Sequence, residues 1–188
     1  WIEIDKTATL TSYQTDIYAA YHEMAFLARL LGKPEDAARY ERWAAETAAM
    51  IREKFWDPGK GNFFDGIKEG KYLETRFPGS STYPSLWGIT TTEQDTRLKE
   101  YFADALINIG PPVNRKQLTT PYGGFYALAS LYRHGNAALA EEFIRRNWGK
   151  MVLEANDLTW EDFNRNDHST MSHAWSASPT YFLSSEAL

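Results

Sequence analysis

Residues 34–55 read PEDAARYERWAAETAAMIREKF, and this stretch decides the fold. Ala37, Tyr40, Ala44, Ala48, Ile51 and Phe55 recur every three or four residues, the spacing that lines apolar side chains along one helical face. Pro34 opens the helix where its missing N–H is not needed, Glu35 and Asp36 put negative charge at the positive end of the helix dipole, and Pro58-Gly59 ends it. Just upstream, Ile17, Tyr21, Met24, Ala28 and Leu31 predict a second helical stripe that stops at Gly32. The link Gly32-Lys33 is short, so the two helices fold back as an antiparallel hairpin.

Downstream the pattern changes and then returns. Phe63, Phe64 and Ile67, interrupted by Gly66 and by Lys68-Glu69-Gly70-Lys71, predict a small β-hairpin or ordered loop. A short helix is expected beyond Pro84, within the apolar stretch Tyr83 to Ile89. Thr91 with Gln94 makes a capping box ahead of Leu98, Phe102, Ala105 and Ile109, and Gly110-Pro111-Pro112 stops that helix. A Thr/Pro/Gly loop over Leu118 to Gly124 leads into a helix carrying Phe125, Leu128, Ala129 and Tyr132. Asn136 then caps one with Ala140, Ile144, Trp148 and Met151 inward. The last helix is expected from about Thr170 to Glu186, started, kinked or broken by Pro179. Helix pairs recurring at roughly 40 to 50 residues predict an all-α fold of antiparallel hairpins.

Composition bounds the function. At 188 residues a compact chain buries roughly 70% of its unfolded surface, so a core needs no staple. With no cysteine, disulfide scaffolds, thiolate zinc sites and cysteine nucleophiles are excluded, while the compartment stays open. The 25 acidic against 20 basic residues, with no basic cluster beyond Arg145-Arg146, give none of the electrostatic footprint of a nucleic-acid binder. No apolar run reaches the 18 or so residues of a membrane span, so a membrane is not an expected partner. Trp1 at the start, in place of Met, fits a processed chain or an excised piece. Aromatic residues make up 15% of the chain, which suits either a ring-rich helical core or a cleft whose rings pack on a polar ligand.

Glu154, Asp157, Glu161, Asp162 and Asp167 bring five carboxylates into fourteen residues, with His168 and His173 close behind. Three readings fit: a solvated acidic loop, a calcium site lacking the usual Asp-x-Asp-x-Asp-Gly loop, and a catalytic carboxylate flanked by Trp160, Phe163 and Trp175. Apolar rings raise a carboxylate's pKa and shape a pocket, as general acid or base work on sugars requires. His173 is alternatively a hydrogen-bonded histidine at a helix start. The four histidines form no His-Glu-x-x-His, and Gly79-Ser80-Ser81 is no nucleophile elbow, so neither a zinc hydrolase nor a serine hydrolase is indicated.

Leu158-Thr-Trp-Glu-Asp-Phe163, followed about ten residues on by Ser172-His-Ala-Trp-Ser-Ala-Ser-Pro-Thr-Tyr-Phe-Leu183, resembles the end of the catalytic domain of bacterial α-L-rhamnosidases. Pro121-Tyr-Gly-Gly-Phe-Tyr-Ala-Leu128 is similar to the loop and helix before it, and Ser80 to Gln94 to an earlier hairpin. The resemblance implies a six-hairpin α/α toroid of about twelve helices, of which residues 1–188, with about seven, would be the C-terminal half. It implies inverting hydrolysis of terminal α-L-rhamnosides with no cofactor and no metal. Glu161 would be the general base. Trp160, His173, Trp175, Tyr122 and Phe125 would line the sugar pocket. The family's general-acid segment lies upstream and finds no match here, so the expected partners are a carbohydrate and the missing half of the toroid. A noncatalytic carbohydrate-binding or helical interaction module is the competing reading. An open arc is also expected to expose apolar surface at its edges.

Overall fold

The computed structural model describes residues 4–108, 120–154, 158–163 and 170–186. Seven α-helices lie among them: α1 (Thr11–Leu30), α2 (Pro34–Lys54), α3 (Gly79–Leu86), α4 (Thr92–Phe102), α5 (Pro121–Arg133), α6 (Ala137–Leu153) and α7 (Ser178–Glu186). A π-helical segment, Ala103–Asn108, extends α4, and a 3₁₀ turn, Ala174–Ala177, precedes α7. Five short strands complete the set: β1 (Thr9–Leu10), β2 (Trp56–Asp57), β3 (Asn62–Phe63), β4 (Gly66–Lys68) and β5 (Lys71–Tyr72). They form an antiparallel β1-β4-β5 sheet, with Ile67 opposite Thr9 and Tyr72, and a β2-β3 ribbon with Trp56 opposite Phe63. None of the described helices is long and apolar enough to cross a membrane.

The helices pack in two rows. α1 touches α3, α3 touches α5, and α5 touches α7, while α2 lies on α1, α6 on α5, and the π-helical segment on α6. Helices of the first row run parallel. Ser130 Oγ donates to Ser85 Oγ at 2.9 Å where α3 and α5 end, and Tyr83 meets Tyr126 nearer their starts. The result is the arc of antiparallel hairpins that the sequence predicts. Between the rows lies a core of Ile51, Phe55, Phe102, Leu128, Phe143 and Trp148.

The apolar spacing holds for most elements. On α2, Ala37, Ala44, Ala48 and Ile51 are buried, with Phe55 just beyond; on α6, Ala140, Ile144, Trp148 and Met151 are. The capping box forms, with Gln94 N donating to Thr91 Oγ1 and Thr91 N to Gln94 Oε1. The β4–β5 hairpin forms as well.

Several boundaries and faces differ. α1 buries the small residues Thr11, Thr15, Ala25 and Ala28, which permit close approach to its neighbours, while Ile17 and Leu31 of the expected stripe are 40% and 71% exposed. α3 begins at Gly79 and contains Pro84. Its opening turn is pinned from outside: Asp65, fully buried, accepts from Phe77 N at 2.8 Å, and Ser81 Oγ accepts from Phe63 N at 3.0 Å. α5 starts at Pro121 instead of beyond a loop, because Thr120 Oγ1 accepts from Gly123 N. Gly124 belongs inside this helix, since a Cβ there would stand 2.6 Å from the indole of Trp148. Asn136 precedes α6 without a side-chain capping bond. α7 starts only at Ser178, with Pro179 in its first turn, where the ring favours initiation. Ile109, the Gly110-Pro111-Pro112 stop, Asp157, Asp167 and His168 lie outside the described residues.

Apolar side chains crowd both edges of the arc. Phe26, Leu27, Leu30 and Leu31 are exposed on α1, and Val152, Leu153, Leu158 and Leu183 at the other edge, where a cavity of about 470 Å³ opens between α6 and α7.

Candidate active site

Two extended segments build the site by clamping onto each other. His173 N donates to the carbonyl of Thr159 at 2.8 Å, Thr159 Oγ1 returns a bond to the carbonyl of His173 at 3.0 Å, and Glu161 N donates to the carbonyl of Thr170 at 3.0 Å. These bonds set residues 159–161 beside 170–173. The 3₁₀ turn that follows is tied to the core, because Trp148 Nε1 donates to the carbonyl of Ser176 at 2.8 Å and Ser176 Oγ to the carbonyl of Trp160.

Glu161 stands on this clamp, half-buried. Its Oε2 accepts from the backbone N–H of Thr170 at 2.9 Å and from the Thr170 hydroxyl at 2.7 Å. Both bonds favour the ionised form. The backbone bond first, then the hydroxyl bond, hold the Glu161 carboxyl below the ordinary glutamate value, with a smaller contribution from His173. No described residue donates to Oε1, which leaves that oxygen to accept from a water or a substrate.

The Thr170 hydroxyl fixes the tautomer of His173. A carboxylate can only accept, so the hydroxyl hydrogen points to Glu161, and its oxygen must accept from His173 Nδ1, 2.7 Å away. Neutral His173 therefore carries its proton on Nδ1 and presents an acceptor at Nε2, to which no described residue hydrogen-bonds. The imidazole lies against Trp175 with ring centroids 3.9 Å apart, and Trp175 Nε1 donates to the carbonyl of Glu161 at 3.1 Å. Tyr122, in the first turn of α5, packs on Trp175 at 5.5 Å and shares a 3.1 Å hydroxyl contact with Tyr126. Phe125 is partly exposed beside Tyr126, Tyr181 and Phe182.

Of the residues expected from sequence, Glu161, His173, Trp175 and Tyr122 come together, and Phe125 flanks them. Trp160 does not line the cleft as expected. Its ring is 1% exposed in the main core, and it serves the site through its carbonyl. The physical reason is alternation along an extended segment: with Glu161 turned outward and half-buried, its neighbour turns into the core. Thr170 and Tyr126 were not foreseen. Tyr126 lies one helical turn beyond Tyr122, a spacing visible in sequence, whereas nothing local marks Thr170 as the partner of a residue nine positions earlier. Among the described residues no group of acidic and histidine side chains could hold a metal.

Comparison with known proteins follows from this geometry. A family model described as the bacterial alpha-L-rhamnosidase 6 hairpin glycosidase domain matches residues 5–187. Among solved structures, a GH78 family rhamnosidase of Bacillus sp. GL1 superposes with a TM-score of 0.76 at 26% identity, over 94% of this chain and 19% of that one. A rhamnosidase from Klebsiella oxytoca with rhamnose bound gives a TM-score of 0.75 at 23% identity, over 95% of this chain and 34% of that one. The chain thus spans a fifth to a third of the length of these two proteins. No curated protein matches it.

Proposed function

The chain belongs to the bacterial α-L-rhamnosidase six-hairpin glycosidase family, and on that premise we propose that it is the C-terminal half of a catalytic toroid that hydrolyses terminal α-L-rhamnosides with inversion. The observation that carries the reading is the pair of Thr170 bonds to Glu161 Oε2, which favour its charged form, while Oε1 has no donor among the described residues. Such a carboxylate suits a general base and not a general acid, which needs a raised pKa. Glu161 takes a proton from water as the water oxygen bonds to the anomeric carbon. The glycosidic C–O bond breaks on the opposite face, and the leaving oxygen receives a proton from a second carboxylic acid. That acid is assigned to the part of the toroid this chain does not span. The exposed apolar edges at α1 and at α6–α7 support the same division, since the missing hairpins would cover them.

His173, Trp175, Tyr122 and Phe125 form the sugar-binding side of this half-site, with Nε2 of His173 accepting from a sugar hydroxyl and the rings of Trp175 and Tyr122 packing on its carbon face. The test is hydrolysis of 4-nitrophenyl α-L-rhamnoside by the full-length protein, followed by proton NMR. The first-formed rhamnose is expected as the β-anomer. Retention of the α-configuration would remove the base role of Glu161, and binding without turnover would favour a noncatalytic module.

The hydrogen bonds to Glu161 predict the acid limb of the rate profile. They stabilise the charged base, so kcat/KM should fall only below the ordinary glutamate pKa of 4.5. Thr170→Val deletes the hydroxyl donor but keeps the backbone one, and the limb should move up in pH while the plateau above it is retained. A limb that stays put, or moves down, would show that Glu161 does not set it.

A further inference from the structure

A cavity of about 290 Å³ opens where α1 and α3 begin. The same end of the arc carries Glu161, because α1, α3 and α5 run parallel and the clamp precedes α7. Its lining is mixed in a particular way. Buried Leu10 and Phe77 supply apolar surface, Tyr13 and Tyr83 supply rings, and Lys6 and Asp16 supply charge. Neither charged side chain makes a hydrogen bond or an ion pair with any described residue. A carboxylate acceptor and an ammonium donor beside aromatic rings suit a polyhydroxylated ring, whose faces are apolar and whose edges are polar. Asp16 stands exposed at the mouth of the cavity, with partial desolvation by its surroundings shifting its carboxyl upward.

A continuous file of rings connects this cavity to the catalytic clamp. Tyr83 meets Tyr126 edge-on at 4.7 Å, Tyr126 shares the hydroxyl contact with Tyr122, and Tyr122 packs on Trp175. We propose that the α1–α3 cavity binds the sugar on the leaving-group side of the scissile bond, with Asp16 accepting hydrogen bonds from its hydroxyls. The assignment rests on the rhamnosidase reading. An enzyme that removes a terminal rhamnose has no sugar beyond it on the non-reducing side, so a second sugar seated three ring contacts from Trp175 belongs to the leaving group.

The experiment compares two substrates of the full-length protein, 4-nitrophenyl α-L-rhamnoside and an α-L-rhamnosyl-D-glucose disaccharide. Asp16→Asn keeps the shape of the side chain and removes its charge. Losing a charge-assisted hydrogen bond to the glucose unit should lower the ratio of kcat/KM for the disaccharide to that for the aryl glycoside by about 10-fold, through KM, with an unchanged melting temperature. An unchanged ratio, or equal losses on both substrates, overturns the proposal by placing Asp16 outside the site or at the reacting sugar. A wild-type protein that cleaves neither substrate sinks the rhamnosidase reading, and the assignment of this cavity falls with it.

Discussion

Replacing Glu161 by Gln in the full-length protein is expected to lower kcat by roughly 10²–10⁴-fold while leaving the melting temperature nearly unchanged. Gln is close to Glu in size, and its amide oxygen can still accept from the N–H and hydroxyl of Thr170, so the clamp survives. What disappears is an oxygen basic enough to take a proton from water. The neighbouring carboxylate provides the control. Asp162→Asn should be milder, because Thr170, His173 and Trp175 all converge on Glu161. Near-normal turnover in Glu161→Gln would end the assignment, and a larger loss in Asp162→Asn would move the base one residue along the chain. Melting curves run alongside keep folding defects from being read as chemistry.

The second large effect belongs to Trp148, which is buried in the core. Its indole is buried among Phe143, Phe163 and the bare face of Gly124, and its N–H holds the carbonyl of Ser176. Trp148→Ala should destabilise the protein by about 3–5 kcal/mol, the usual cost of deleting a large buried ring. It should also depress activity at temperatures where the protein stays folded, since the turn carrying Trp175 loses its anchor. Trp148→Phe separates the two contributions. It keeps most of the volume but strands the Ser176 carbonyl, for about 1–3 kcal/mol. If Trp148→Phe matched wild type in both melting and turnover, the bond to Ser176 would have no role in holding the site.

Periodicity made most of the helices legible, because α2 and α6 each bury one stripe against the other row and sequence spacing alone reports that. α1 misled for a specific reason. Spacing shows which residues share a face but not which face meets a neighbour, and on α1 the small residues make the close contact while the bulky ones sit at the arc's edge. The starts of α3 and α7 were displaced by tertiary hydrogen bonds, with Asp65 and Phe63 in one case and with the 159–161 segment in the other. No local rule encodes such partners. The motif drew attention to Glu161, His173 and Trp175, which the structure holds side by side, and helix spacing could have added Tyr126. Trp160 was misplaced because a ring beside a carboxylate looks the same in sequence whether it faces outward or into the core. Thr170 was invisible because its importance is a contact across a turn of chain.

The clamp between residues 159–161 and 170–173 also bears on how such a protein diversifies. Glu161, Thr170 and His173 are fixed by bonds to one another and, through Ser176, to the core, so their positions do not depend on how many residues join Phe163 to Thr170. Insertions and deletions in that interval are expected to leave the Glu161 carboxylate where Thr170 holds it. Under the proposed function, the sequence of that interval is free to vary while the base keeps its place.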